Sequence, residues 1–204
     1  MSLTEIILIV LLVLVLLTAK GLPSNVVQSS ADWLDEFLLW VAQGFGLGRI
    51  PVAPGTFGSV LGVFWFELLL ATGSFWALVT GTIAGLGVSV WLCGIGEQLL
   101  GKKDPGSVVL DEIAAMPICF FSWVLIQIRE TGSLPEPGYF FSGRCWPLTL
   151  VVFALFRLFD VTKPWPVRQS QALPGGWGIT IDDALAALYV NGVVLLAYEA
   201  RALL

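Results

Sequence analysis

Long apolar runs separated by short turns rich in proline, glycine and charge set the pattern of this chain. The first run, Ile6 to Leu17, is unbroken aliphatic sequence between Glu5 and Thr18-Ala19-Lys20. It lacks a basic leader and is short for a span, so it reads as an uncleaved anchor or a tilted interfacial helix. Residues 21–30 read as a polar linker. Asp32 to Gln43 mixes Asp32, Asp35 and Glu36 with Trp33, Phe37 and Trp40, which suits a helix lying at the headgroup level.

The later runs predict five core helices: Pro54 to about Leu70, Phe75 to about Leu100, Val108 to Ile128, Trp146 to Phe159, and Thr180 towards Ala200. Turns at Thr72-Gly73 and Lys102 to Gly106 and loops over Arg129 to Cys145 and Val161 to Gly178 make neighbouring helices antiparallel. Pro117 is expected to kink the third helix. Gly58 and Gly62, and likewise Gly81 and Gly85, recur at a spacing that lets helix backbones approach. Gly44-Phe45-Gly46-Leu47-Gly48 is no dinucleotide fingerprint, because no strand precedes it and Arg49 stands where the last glycine would be.

Composition converts this pattern into a location. Of 204 residues 57% are hydrophobic and 12% charged, with a mean hydropathy of +0.88, against about 25% charge in a soluble domain. The expectation is an all-α, polytopic transmembrane bundle over residues 31–204, preceded by a hydrophobic anchor and linker over residues 1–30. A net charge of -5 excludes a nucleic-acid partner, which calls for a basic patch. Nothing in the pattern sets an oligomeric state. Cys93, Cys119 and Cys145 lie in apolar surroundings without a metal or redox spacing and read as buried small hydrophobes. Histidine is absent, which leaves carboxylates, Lys, Arg, hydroxyls and oxygen-bound metal as the available chemistry.

Against that background three polar islands stand out: Asp111-Glu112, Arg157 to Lys163, and Asp182-Asp183. Ionisable groups cost roughly 2.5–3.5 kcal/mol each at membrane depth and persist where they pair or serve a site. Alternating the predicted helices across the membrane brings all three islands to one face, together with the start of the Gly55-Thr56 helix. Asp111, Glu112, Asp160, Asp182 and Asp183 supply five negative charges against two from Arg157 and Lys163. An excess of carboxylates without His or Cys suits Mg²⁺, which takes one or two carboxylates, water and phosphate oxygens.

Each island also has a plain structural reading. Acids at helix ends can simply face water. Arg157 and Asp160, three apart, can form an intrahelical ion pair. Thr180 can cap a helix with Asp183 at its third position, as in a capping box. Glu97 and Asp104 read as solvated. Pro54 to Ser59 places backbone amides and the Thr56 and Ser59 hydroxyls at a helix start, which attracts phosphate, although helix packing explains the same residues. Lys163 precedes Pro164, so it is expected outside the helix, within reach of a phosphate.

Taken together, the stretches Pro51-Val52-Ala53-Pro54-Gly55-Thr56-Phe57-Gly58-Ser59, Asp111-Glu112-Ile113, Phe156-Arg157-Leu158-Phe159-Asp160-Val161-Thr162-Lys163-Pro164-Trp165-Pro166 and Gly178-Ile179-Thr180-Ile181-Asp182-Asp183 resemble, in order, the motifs of the phosphatidylglycerophosphatase A family. The resemblance covers about residues 33 to 200. It differs at Ala115, where the family commonly carries glycine, and at Ala186-Ala187, where the family commonly carries Ala-Gly. It implies a Mg²⁺-requiring membrane phosphatase that takes the terminal phosphate from the phospholipid phosphatidylglycerophosphate, in a bacterial cytoplasmic membrane with its site towards the cytoplasm. Elimination points the same way: the histidines of type 2 phosphatidic acid phosphatases, a C-x5-R loop, a D-x-D motif and the D-G-x-x-A-R signature are all absent.

The expected division of labour follows. Asp111, Glu112, Asp160, Asp182 and Asp183 share metal binding and general-base work, and Arg157, Lys163, Thr56 and Ser59 bind phosphate. The rival is an ion-coupled transporter using the same acids, which should show internal repeats; none is visible. Orientation follows from basic residues: Arg49, Lys102, Lys103, Arg157, Lys163 and Arg168 lie on the motif face and Arg129, Arg144 and Arg201 on the other, which places the motif face in the cytoplasm.

Overall fold

A computed structural model of the chain describes residues 24–202. The predicted anchor at Ile6 to Leu17 lies outside the described residues. The chain divides after Phe37, and the site and its supporting helices belong to the part from Leu38 onward. Among the described residues there is no strand.

Helix α1 spans Ser24–Ala42. The linker expected to reach Ser30 is thus helical from Ser24, in keeping with a stretch that contains neither glycine nor proline after Pro23. A 3₁₀ turn at Leu47–Arg49 leads into α2, Pro54–Leu70. Pro54 supplies a preset φ at the first helical position, where its missing N–H costs nothing. Helix α3, Phe75–Leu100, is capped by Ser74, whose hydroxyl accepts from the Ala77 N–H at 3.3 Å, and ends at Gly101 in the left-handed region, φ 61°. Helix α4 runs Leu110–Thr131, α5 Trp146–Thr162, the single turn α6 Val167–Ser170, and α7 Gly176–Ala202.

Three helices, α3, α4 and α7, are long and apolar enough to cross a membrane. Five spans were expected. The other two, α2 and α5, have 17 residues each, about 25 Å at 1.5 Å per residue and short of a hydrocarbon core of about 30 Å.

Lipid tails are as apolar as leucine, so helices in a membrane are held by close packing more than by exclusion from water. Glycine provides that packing where backbones cross. A Cβ at Gly58 would lie 3.0 Å from the carbonyl of Val109, the residue that caps α4, and one at Gly62 would lie 3.0 Å from the Glu112 carbonyl. Gly176 makes the equivalent approach to α3, with Gly94 N 2.7 Å from where its Cβ would stand. Gly81 and Gly85 act differently from expectation: they make room for the side chains of Leu69 and Trp65, not for a backbone.

The core is aromatic. Phe66 of α2 stacks on Phe120 of α4 at 4.5 Å, and Phe140 packs edge-on to both. Phe140 comes from the 3₁₀ turn Tyr139–Phe141 inside the predicted 129–145 loop. That loop is therefore folded onto the bundle, pinned by Glu67 Oε2 accepting from Gly138 N and by Thr149 Oγ1 donating to the Phe140 carbonyl. Ala115 and Ala187, the departures from glycine, are fully buried in this core, so the extra methyls are accommodated.

Helix α4 continues through Pro117. One turn beyond, Asn191 of α7 enters the backbone ladder: its Oδ1 accepts from Ser122 N at 2.7 Å and its Nδ2 donates to Ile118 O at 2.6 Å. A side-chain amide thus bridges the Ile118–Ser122 step of the helix and ties α4 to α7.

Candidate active site

Four helices deliver polar groups to one end of the bundle. Helix α4 begins there, so Asp111 and Glu112 occupy its first turn, where the helix dipole favours negative charge. Helix α5 ends there, carrying Arg157, Asp160 and, one residue past its end, Lys163 in the left-handed region with φ 45°. Helix α2 begins there with Gly55 and Ser59. Helix α7 starts at Gly176, four residues ahead of Thr180. Asp182 and Asp183 therefore sit in its second turn, each 2% exposed.

This start overturns the capping-box reading. Thr180 lies inside the helix, and its hydroxyl is shared with Ser89 of α3 at 2.8 Å. Neither aspartate is consumed by a cap. Adjacent helical residues point about 100° apart, and the pair divides accordingly. Asp182 Oδ2 accepts from Lys163 Nζ at 2.5 Å. Asp183 turns inward to Asp111 and Glu112, and one carboxylate oxygen from each of these three lies within 4.8 Å of the others. Asp111 Oδ1, Glu112 Oε2 and Asp183 Oδ2 are buried with no hydrogen-bond partner in the protein. A buried, unpaired charged oxygen is costly, so this triad is the group in the site best able to hold a cation.

Arg157 stands beside it. The guanidinium contacts Asp160 Oδ2 at 2.8 Å, the expected pair on one helix, but also donates to Ser59 Oγ at 3.2 Å and approaches Glu112 Oε1 at 3.7 Å. Asp160 also neighbours the side chain of Asp183. Gly55 explains how α2 comes so near: a Cβ there would collide with Glu112 Oε1 and lie 3.1 Å from Arg157 Nη2. Ser59, fully buried, spends its hydrogen on the Gly55 carbonyl at 2.8 Å, leaving its oxygen for Arg157. It holds the arginine in place. Thr56 is half-buried in the first turn of α2, with its N–H donated to the Ala53 carbonyl.

Lys163 leaves the helix before Pro164, as expected, and pairs with Asp182 while Asp104 Oδ2 stands 3.9 Å away. Burial, the largest influence on its ammonium, pulls the pKa down, yet Asp182, Asp104 and Asp160 together hold it above the ordinary lysine value. It stays cationic at neutral pH.

Of the two residues expected to be solvated, Asp104 is exposed and Glu97 is half-buried. Asp104 accepts from Gln171 Nε2 at 3.0 Å and completes the acidic surroundings of Lys163. Glu97 of α3 has a buried, unpartnered Oε2. It continues the row Ser89, Cys93, Glu97 at four-residue spacing, the face on which Ser89 meets Thr180, and that spacing was the available signal. The three cysteines are free and buried, as expected.

The family profile described as Phosphatidylglycerophosphatase A matches residues 40–198. This chain belongs to the phosphatidylglycerophosphatase A family. Phosphatidylglycerophosphatase A of Escherichia coli is 31% identical over 156 residues, which cover 76% of this chain and 79% of that protein. Phosphatidylglycerophosphatase A of Haemophilus influenzae is 36% identical over 155 residues, 76% of this chain and 84% of that protein. A relative from Bacteroides thetaiotaomicron, 31% identical over 153 residues and 86% of its own length, carries a provisional phosphatidylinositol-3-phosphatase name. No solved structure matches the chain. The family match spans α2 to the far end of α7, and so includes every helix that contributes to the site.

Proposed function

We propose that this protein hydrolyses the terminal phosphomonoester of phosphatidylglycerophosphate, giving phosphatidylglycerol and inorganic phosphate. The observation that carries the reading is the set of three buried, unpartnered carboxylate oxygens of Asp111, Glu112 and Asp183 next to a fixed guanidinium, in a chain of this family. Nothing supports the transporter alternative.

In this reading the Arg157 fork grips two phosphoryl oxygens and offsets the charge that gathers on them as the ester bond breaks. Asp160 and Ser59 keep the fork aimed. Lys163, steered by Asp182 and Asp104, adds a second cation at the mouth of the site. A water attacks phosphorus, its proton passes to a carboxylate of the Asp111, Glu112 and Asp183 group, the ester P–O bond breaks, and the glycerol oxygen leaves as the alcohol after taking a proton. Thr56, at the same helix start, is a further phosphate contact.

Mg²⁺ fits the donor set, since Asp111, Glu112 and Asp183, with Asp160 adjacent, offer only hard oxygens. Bound there, it would neutralise phosphoryl charge and acidify the attacking water. Asp182, already paired to Lys163, acts in this scheme by positioning that lysine. The basic residues favour a site opening to the cytoplasm, where the headgroup of a newly made phospholipid would be met.

The test is phosphate release by the purified full chain in detergent from phosphatidylglycerophosphate, phosphatidylinositol 3-phosphate and phosphatidic acid of matched acyl chains. Preferential release from the first supports the proposal. Faster release from the inositol lipid would reassign the substrate while keeping the chemistry, and release from none would overturn both.

A further inference from the structure

About 20 Å along the helices from the carboxylates, as judged from the residue spacing of Glu112 to Gln127 and Asp183 to Ala197, lies a cavity of about 820 Å³. It opens between the later halves of α4 and α7 and the first half of α5. Its volume falls within the range of about 300–1,000 Å³ typical of small-molecule sites. The phosphatase reading does not use it.

The cavity is graded along the helix axes. Towards the middle of the bundle it is walled by Trp123, Val152, Leu155 and Val194. At its outer end, where α4 and α7 stop and α5 starts, the wall becomes Gln127, Glu130, Tyr139, Arg144 and Arg201. Tyr139 donates to Gln127 Oε1 at 2.7 Å, so that part of the rim is fixed. Arg201 pairs with Glu130 at 2.9 Å and lies over the Tyr198 ring. Arg144 is exposed and has no ion pair among the described residues. The rim therefore carries a net positive charge with one guanidinium free.

We propose that this cavity binds an anionic phospholipid from the leaflet opposite the active-site end. An apolar shaft parallel to the spanning helices accepts an acyl chain, because leaving such a shaft empty forfeits its dispersion contacts and filling it with water leaves that water without partners. Tyrosine and arginine at the shaft's outer end match the headgroup level, and the unpaired Arg144 selects a headgroup with a net negative charge over a zwitterionic one. A second copy of this chain would meet the same apolar wall, but gives no role to an unpaired arginine at the rim.

The test is native mass spectrometry of the detergent-purified full chain mixed with phosphatidylserine and phosphatidylcholine of matched acyl chains. Neither lipid is a phosphomonoester, so the result does not depend on the phosphatase reading. Wild type should retain phosphatidylserine about tenfold better than phosphatidylcholine. Arg144→Gln should reduce that preference, and Ala197→Trp, at an exposed position on the wall, should abolish retention of both, while each variant still releases phosphate at the wild-type rate. Equal retention of the two lipids by wild type, or unchanged retention in Ala197→Trp, would overturn the proposal. So would a wild-type dimer that Ala197→Trp converts to monomer, because the occupant would then be a second copy.

Discussion

Neighbouring aspartates that the sequence leaves equivalent are made unequal by one helical step. Asp183 faces Asp111 and Glu112 with an unpartnered oxygen, whereas Asp182 is bonded to Lys163. Asp183→Asn should therefore lower kcat on the order of 10²- to 10⁴-fold, the range for a positioned acid–base group. Asp182→Asn, acting only through Lys163, should cost about tenfold, equivalent to ~1.4 kcal/mol. Steady-state kinetics of the two variants checks the ranking, and equal losses would show that the division is not functional. Arg157 makes a sharper case at the same scale. Its guanidinium touches Ser59, Glu112 and Asp160 at once, which a lysine ammonium cannot reproduce. Arg157→Lys should lose about 10²-fold or more in kcat/KM; retention of most activity would mean that charge alone matters.

At the scale of elements, glycine crossings and one side-chain amide support the site. Gly58 and Gly62 set α2 against α4, and Asn191 joins α4 to α7 by accepting from Ser122 N and donating to Ile118 O. Asn191→Leu would leave Ser122 N and Ile118 O buried without that partner, at about 1–3 kcal/mol. A clear drop in the thermal midpoint in detergent should follow, and an unchanged midpoint would show that the amide bridge does not stabilise the bundle. Legibility at this scale was uneven for physical reasons. The five core helices follow from hydropathy and turn residues, since a membrane punishes polar backbone anywhere else. The start of α7 was misplaced because Gly176-Trp177-Gly178 reads as a loop, while in the fold Gly176 is the residue that lets α7 touch α3. Glu97 was read as solvated because its own charge outweighed the four-residue spacing it shares with Ser89 and Cys93, whereas Arg157 with Asp160 was visible from spacing alone.

For the whole molecule, the three charge islands and the start of α2 gather at one end of the bundle, and the Tyr139–Phe141 turn closes onto the other. The surplus of Lys and Arg on the site end predicts that this end faces the cytoplasm. The native cysteines are buried, and replacing them gives a clean background for probes at two exposed positions, Ser133 and Gln169. In intact cells a cysteine at Ser133 should react with an impermeant thiol reagent and one at Gln169 should not; the reverse pattern would invert the bundle. The central claim, that the Asp111, Glu112 and Asp183 cluster performs phosphomonoester hydrolysis with Mg²⁺, is tested most directly by phosphate release from phosphatidylglycerophosphate. Wild type should turn over with Mg²⁺ and stop when the ion is chelated, and Asp183→Asn should remain inactive in both conditions while keeping its helical content. Full activity in chelator, or near-wild-type turnover by Asp183→Asn, would contradict it.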